Sequence, residues 1–161
     1  MTAEQNLRNG AAIMVLGNLV FLIFAVATLF RVIDGGIALG VETFNGVTTE
    51  QLNKLNPAIM YYSMHVHVVL AGFVVSTAIA TAALAWFGVR NGSWWALIAA
   101  VVAPVVGLII ALPVHYMGLF EYNWMSHLGI IYLGAIVYVA GVLVALVGMI
   151  KASPMAAHAR R

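Results

Sequence analysis

Polar positions in this chain come as short breaks between long apolar runs. Four stretches, about Ala12 to Ile33, Ala58 to Val89, Trp94 to Leu119 and Ser126 to Ile150, each reach the length needed to cross a bilayer as a helix, roughly 20 residues. The pattern predicts an all-α, integral membrane four-helix bundle, one transmembrane domain over residues 1–161. Asn9-Gly10 and Asn91-Gly92 are expected to break the chain before the first and third segments, and Asn56-Pro57 to start the second. Only one connection is long, the loop 34–56, in which TTEQLNKL (Thr48 to Leu55) predicts a short threonine-capped interfacial helix.

Composition leaves no room for another class. Of 161 residues, 64% are hydrophobic and 7% charged, far from the balance of a water-soluble domain. With no cysteine there is no disulfide, thiolate metal site, iron-sulfur cluster or covalently attached haem c. A net charge of +2 rests on few residues and gives no nucleic-acid signal. The positive-inside rule orients the chain N-in and C-in. Arg8, Arg90, Lys151, Arg160 and Arg161 then lie inside, against Arg31 and Lys54 outside. The expected location is the cytoplasmic membrane of a prokaryotic cell. The first apolar run is too long for a signal peptide, despite the cleavage-like AVA at Ala25 to Ala27.

A weak internal repeat runs through the chain. Arg8-Asn9-Gly10 before the first segment recurs as Arg90-Asn91-Gly92 before the third. In the second segment Gly72 follows His65 by seven residues, and in the fourth Gly134 follows His127 by seven. The chain therefore reads as two similar helical hairpins.

Chemistry concentrates in the histidines. Of five, His65, His67, His115 and His127 gather at the outer ends of the helices in this topology, while His158 lies in the polar tail. At about 100° per residue, His65 and His67 point roughly 200° apart, so they do not easily face one ligand. His65 shares its stripe with Gly72 and Ser76, and His67 shares its own with Leu70, Val74 and Thr81. Small neighbours favour the His65 stripe as the interior face. Two histidines at matching depth, each above a glycine, predict a b-type haem with His65 and His127 as axial ligands and with Gly72 and Gly134 leaving the slot. Arg31 is then placed either to pair with the propionates or to snorkel to lipid headgroups. The competing chemistry is a zinc or copper site made from His65 or His67 with His115, His127 and Glu121, since imidazole suits both metals.

The stretch MHVHVVLAGFV, Met64 to Val74, resembles the ligand-bearing second helix of haem-copper oxidase catalytic subunits, in particular the cbb-type and nitric-oxide-reductase-like branch. It is closer still to small four-helix homologues carrying HxHxxxxGF or HxHxxxxGW. The resemblance implies His65 in the position of the low-spin haem ligand and Gly72 in that of the paired glycine. The oxidase's many further helices, its copper centre and its late haem ligand have no counterpart in this chain. The resemblance therefore implies haem binding and electron transfer and gives no support for oxygen reduction.

Three expectations follow. The first is a haem b electron-transfer subunit of a respiratory or related redox complex, with a quinone as a possible neighbour. A second is a non-catalytic accessory subunit, packed on other membrane subunits or on further copies of itself, whose histidines are merely interfacial. The third is an outer-face zinc or copper protein. Phosphate-binding loops, nucleophile elbows and catalytic carboxylate pairs are absent, so an independent enzyme is the less expected outcome.

Overall fold

The computed structural model describes residues 1–153, and His158, Arg160 and Arg161 lie outside the described residues. The chain folds as helices α1 (Ala3–Ile33), α2 (Thr49–Leu55), α3 (Pro57–Ala83), α4 (Trp94–His115) and α5 (Ile130–Ala152). A π-helical turn, Leu84–Gly88, and a 3-10 turn, Val89–Asn91, prolong α3, and a second π-helical turn, Met125–Gly129, leads into α5. Four of these helical stretches are long and apolar enough to cross a membrane, and the protein is an integral membrane protein of the helical-bundle class.

Local signals explain most boundaries. A reciprocal capping box between Thr2 and Gln5 starts α1, and another between Thr48 and Gln51 starts α2. Pro57 opens α3 at the position where its missing N–H costs nothing, under the side chain of Asn56. The helix α1 does not break at Asn9-Gly10, because Gly10 lies against the backbone of Ala145 on α5. At the other end α4 stops at His115, short of Leu119: the amides of Tyr116 and Met117 turn back to the carbonyls of Pro113 and Val114, and Gly118 follows at φ 67°.

Helix α1 is the centre of the bundle, with α5 along one flank and α3 along another. Helices α1 and α5 approach backbone to backbone. A Cβ at Gly10, Gly17, Gly141 or Gly148 would come within 2.4–2.9 Å of backbone atoms on the facing helix. Along each helix these glycines are seven residues apart, so one antiparallel seam stays in register for several turns. In lipid no hydrophobic force drives helices together, and close van der Waals contact through small residues replaces it.

Helix α4 is held differently. Only Ala96, Leu97 and Ala100, near its start, are buried. Pro104 cannot donate to the carbonyl of Ala100, and the buried hydroxyl of Tyr138 on α5 donates to it instead at 2.8 Å. Beyond Pro104 the helix stands off from α1 and α3 and leaves a cavity. The two halves of the chain are thus packed unlike each other: α3 lies along α1, whereas α4 meets α5 at few points.

The segment between α1 and α2 folds over the bundle. Gly35, Gly40 and Gly46 take positive φ, and Ile37, Ala38 and Val41 are buried against Phe44, Phe120 and Tyr122. This end is called the loop end. At the opposite, terminal end the Lys151 Nζ donates to the carbonyl of Met1 at 3.3 Å, so the two ends of the described chain lie together.

Candidate functional site

The cavity left by α4 has a volume of about 520 Å³ and a wall that is almost wholly apolar. Three histidines line its loop end: His67 from α3, His115 from the last turn of α4 and His127 from the π-helical turn before α5. Such turns aim side chains that a regular helix would present elsewhere.

Each ring is fixed through Nδ1. The His127 Nδ1 lies 2.6 Å from the carbonyl of Leu39, His115 Nδ1 3.0 Å from that of Ala111, and His67 Nδ1 2.8 Å from that of Ser63. A carbonyl only accepts, so each Nδ1 carries a proton, and a ring without a second proton presents Nε2 as a lone pair. The Nε2 atoms of His115 and His127 face each other at 3.1 Å. Two lone pairs at that distance repel, so the pair is met either by one proton, one ring donating Nε2–H to the other, or by a metal cation. Left unmet, such a buried group costs about 1–3 kcal/mol.

Aromatic rings enclose the pair. Tyr122 stands 5.7 and 5.5 Å from the rings of His115 and His127, Phe120 stands 5.5 Å from His115, and Phe24 meets His127 edge-on at 5.9 Å. The Tyr122 hydroxyl also donates to the His115 carbonyl at 3.2 Å, tying the end of α4 to the turn that follows it. From the other side Gly40, at φ 77°, brings the loop so close that a Cβ there would stand 2.9 Å from the His127 Cβ.

The structure distributes the expected site residues differently from the sequence reading. His65 is on the exposed face of α3 and outside the cavity, with Gly72 exposed beside open space. A Cβ at Gly134 would meet the Phe21 ring at 3.2 Å, so that glycine serves contact with α1 and leaves no slot for a macrocycle. Arg31 pairs with Glu42 of the loop at 2.7 Å, and Glu121 is exposed and outside the cavity. The residues present do not fit a haem held between His65 and His127. Among the described residues no three histidine, cysteine or acidic side chains converge as a closed metal-binding group, because His67 stands on a different wall from the pair.

Several contributors escaped sequence reasoning. The Leu39 carbonyl carries no side-chain signal. The apolar residues Ile37, Ala38 and Val41 in the loop were the sequence signal that it packs against the bundle. Asn18 on α1 and Thr81 on α3 are buried at the far end of the cavity and bonded to each other at 2.8 Å. No family model, curated protein or solved structure matches the chain.

Proposed function

We propose that this protein holds one copper ion, in the cuprous state, at the loop end of the bundle, with His115 and His127 as its paired ligands and His67 on another wall of the same cavity. The facing pair of Nε2 atoms 3.1 Å apart carries the reading. Two imidazole nitrogens, each at roughly 2.0–2.1 Å from one ion, subtend about 95–100° at that separation. Neighbouring ligands of a single ion make that angle, and opposed axial ligands of a haem do not. Anchoring of each Nδ1–H on a carbonyl is the outer support that metal-binding histidines ordinarily have.

The lining chooses the ion. No carboxylate is among the cavity-lining residues, so neutral imidazoles leave the ion's charge uncompensated. The cost of burying a charge rises with its square, which favours a monovalent over a divalent ion in this setting. Copper that exchanges one electron here serves electron transfer with a membrane partner; zinc would confine the site to a structural or storage role.

The test is metal analysis of the purified protein in mild detergent after copper titration, with a reduced-minus-oxidised visible spectrum of the same sample. The expected result is one copper per chain, bound at least tenfold more weakly in His115→Ala and His127→Ala, less affected in His67→Ala and unaffected in His65→Ala. A sharp α-band with one iron per chain would replace this reading by a b-type haem. Protein that takes up no metal would leave an accessory subunit with interfacial histidines.

A further inference from the structure

The two ends of the bundle differ in charge. Among the described residues the terminal end carries Arg8, Arg90 and Lys151 against the single acid Glu4, whereas the loop end carries Arg31 and Lys54 against Asp34, Glu42, Glu50 and Glu121. Both loop-end cations are taken up by salt bridges, with Glu42 and Glu50. The side-chain hydrogen bonds at the terminal end belong to Thr2, Gln5, Asn91 and Lys151. Arg8 and Arg90 make neither an ion pair nor a side-chain hydrogen bond among the described residues.

Arg90 is nevertheless held in place. It follows Trp86 by four residues, which sets both on one face as the chain leaves α3, and its guanidinium carbon stands 4.6 Å from the centre of the Trp86 ring. Stacking of this kind covers one face of the guanidinium and leaves its N–H donors, which lie in its plane, unused. The ring itself is 41% exposed and its neighbour Phe87 73%, so an apolar surface open to lipid adjoins the charge. Leu7 is buried in the same cluster as Val89 and would lie 3.7 Å from a Cβ at Gly92. That contact sets Arg8 of α1 beside the turn that carries Arg90.

From these observations we infer that the terminal end binds an anionic phospholipid, its phosphate on Arg90 and Arg8 and its acyl chains along Trp86 and Phe87. Charge complementarity chooses the headgroup. A guanidinium donates two parallel N–H bonds to phosphate, and a surplus of basic residues at a membrane surface attracts anionic lipid. The ammonium of a zwitterionic lipid would be repelled by the same surplus. Exposed Trp94 and Trp95, at the start of α4, set this turn at the headgroup level. The inference stands on residues at the end of the bundle remote from the histidines, and it holds whether or not they bind copper.

The test is native mass spectrometry of the full chain in mild detergent, titrated with dioleoylphosphatidylglycerol or with dioleoylphosphatidylcholine. The expected result is one phosphatidylglycerol per chain, half-bound at a concentration at least tenfold below that for phosphatidylcholine. Arg90→Gln and Arg8→Gln should each weaken the anionic lipid at least fivefold, and Trp86→Leu, which keeps every charge, at least threefold. Arg31→Gln at the loop end should change it less than twofold. Trp86 and Arg8 are exposed, so their variants keep the buried packing, and gel filtration checks each fold. Equal affinity for the two lipids would overturn the inference, as would undiminished binding in the folded Arg90 and Arg8 variants. An equal loss in Arg31→Gln would reduce the effect to net charge and overturn it too, and so would displacement of the lipid by inorganic phosphate in hundredfold excess.

Discussion

At the residue scale, the choice between two histidines decides the site. The segment HVH offered opposed faces, and the glycine and serine beside His65 argued for that stripe as the interior. The structure turns the other towards the cavity. Thr81, on the His67 stripe, bonds Asn18 of α1 inside the bundle, while Gly72 and Ser76 face outward. In lipid an apolar or small residue loses little by facing out, whereas an amide such as Asn18 must face protein. Polar partners on other helices therefore set the interior face, and a single segment read alone does not show them. The gathering of histidines at one end was legible; that His67 and not His65 lines the cavity was not. Gly40 offers a test at this scale, since it holds the loop against His127 with φ 77° and no space for a Cβ. Gly40→Ala should cost about 1–2 kcal/mol in backbone strain and lift the Leu39 carbonyl from His127. Copper affinity should then fall further than in Gly46→Ala, where φ is also positive but nothing lies within 4 Å. Equal affinity in the two variants would mean that the loop does not orient the ring.

At the element scale, the seam between α1 and α5 governs stability. In the sequence a seven-residue spacing sets Gly72 below His65 and Gly134 below His127, and it reads as a cofactor slot. The same spacing in Gly10 with Gly17, and Gly141 with Gly148, makes a helix interface, which Gly134 extends against Phe21. Spacing alone does not distinguish the two uses. Only the facing residue does. Gly141→Val would put a Cβ 2.5 Å from the Met14 amide nitrogen and must push the backbones apart, at a cost of about 3 kcal/mol. Gly72→Val meets nothing within 4 Å and should stay within about 0.5 kcal/mol of wild type. Unfolding titrations in mixed micelles measure both. Tyr138→Phe removes the donor that completes the Ala100 carbonyl opened by Pro104, which should cost about 1 kcal/mol. In a Pro104→Ala background the helix supplies its own donor, so the same substitution should cost clearly less; an equal loss in both backgrounds would dissociate Tyr138 from the proline.

For the whole molecule, hydropathy showed what lipid requires, namely four spans, and not the order in which the spans pack. The fold class was therefore legible, while the central place of α1 and the loose outer half of α4 depended on contacts between distant residues. Sidedness is the remaining property of the whole molecule, and it decides which compartment supplies the site. The loop-end cations are each tied to a carboxylate, Arg31 to Glu42 and Lys54 to Glu50, both at 2.7 Å. At the terminal end Arg8, Arg90 and Lys151 make no ion pair among the described residues. Since translocation is resisted by basic residues near the helix ends, and acidic neighbours contribute little, the excess of three over two favours the terminal end inside. The absence of native cysteine makes this measurable without background. Asn53→Cys on exposed α2 should react with a membrane-impermeant maleimide on intact cells, and Ala152→Cys at the other end only after the membrane is opened. The reverse pattern would place the histidines on the inner face, and the cytoplasm would then be the source of any metal for the proposed site.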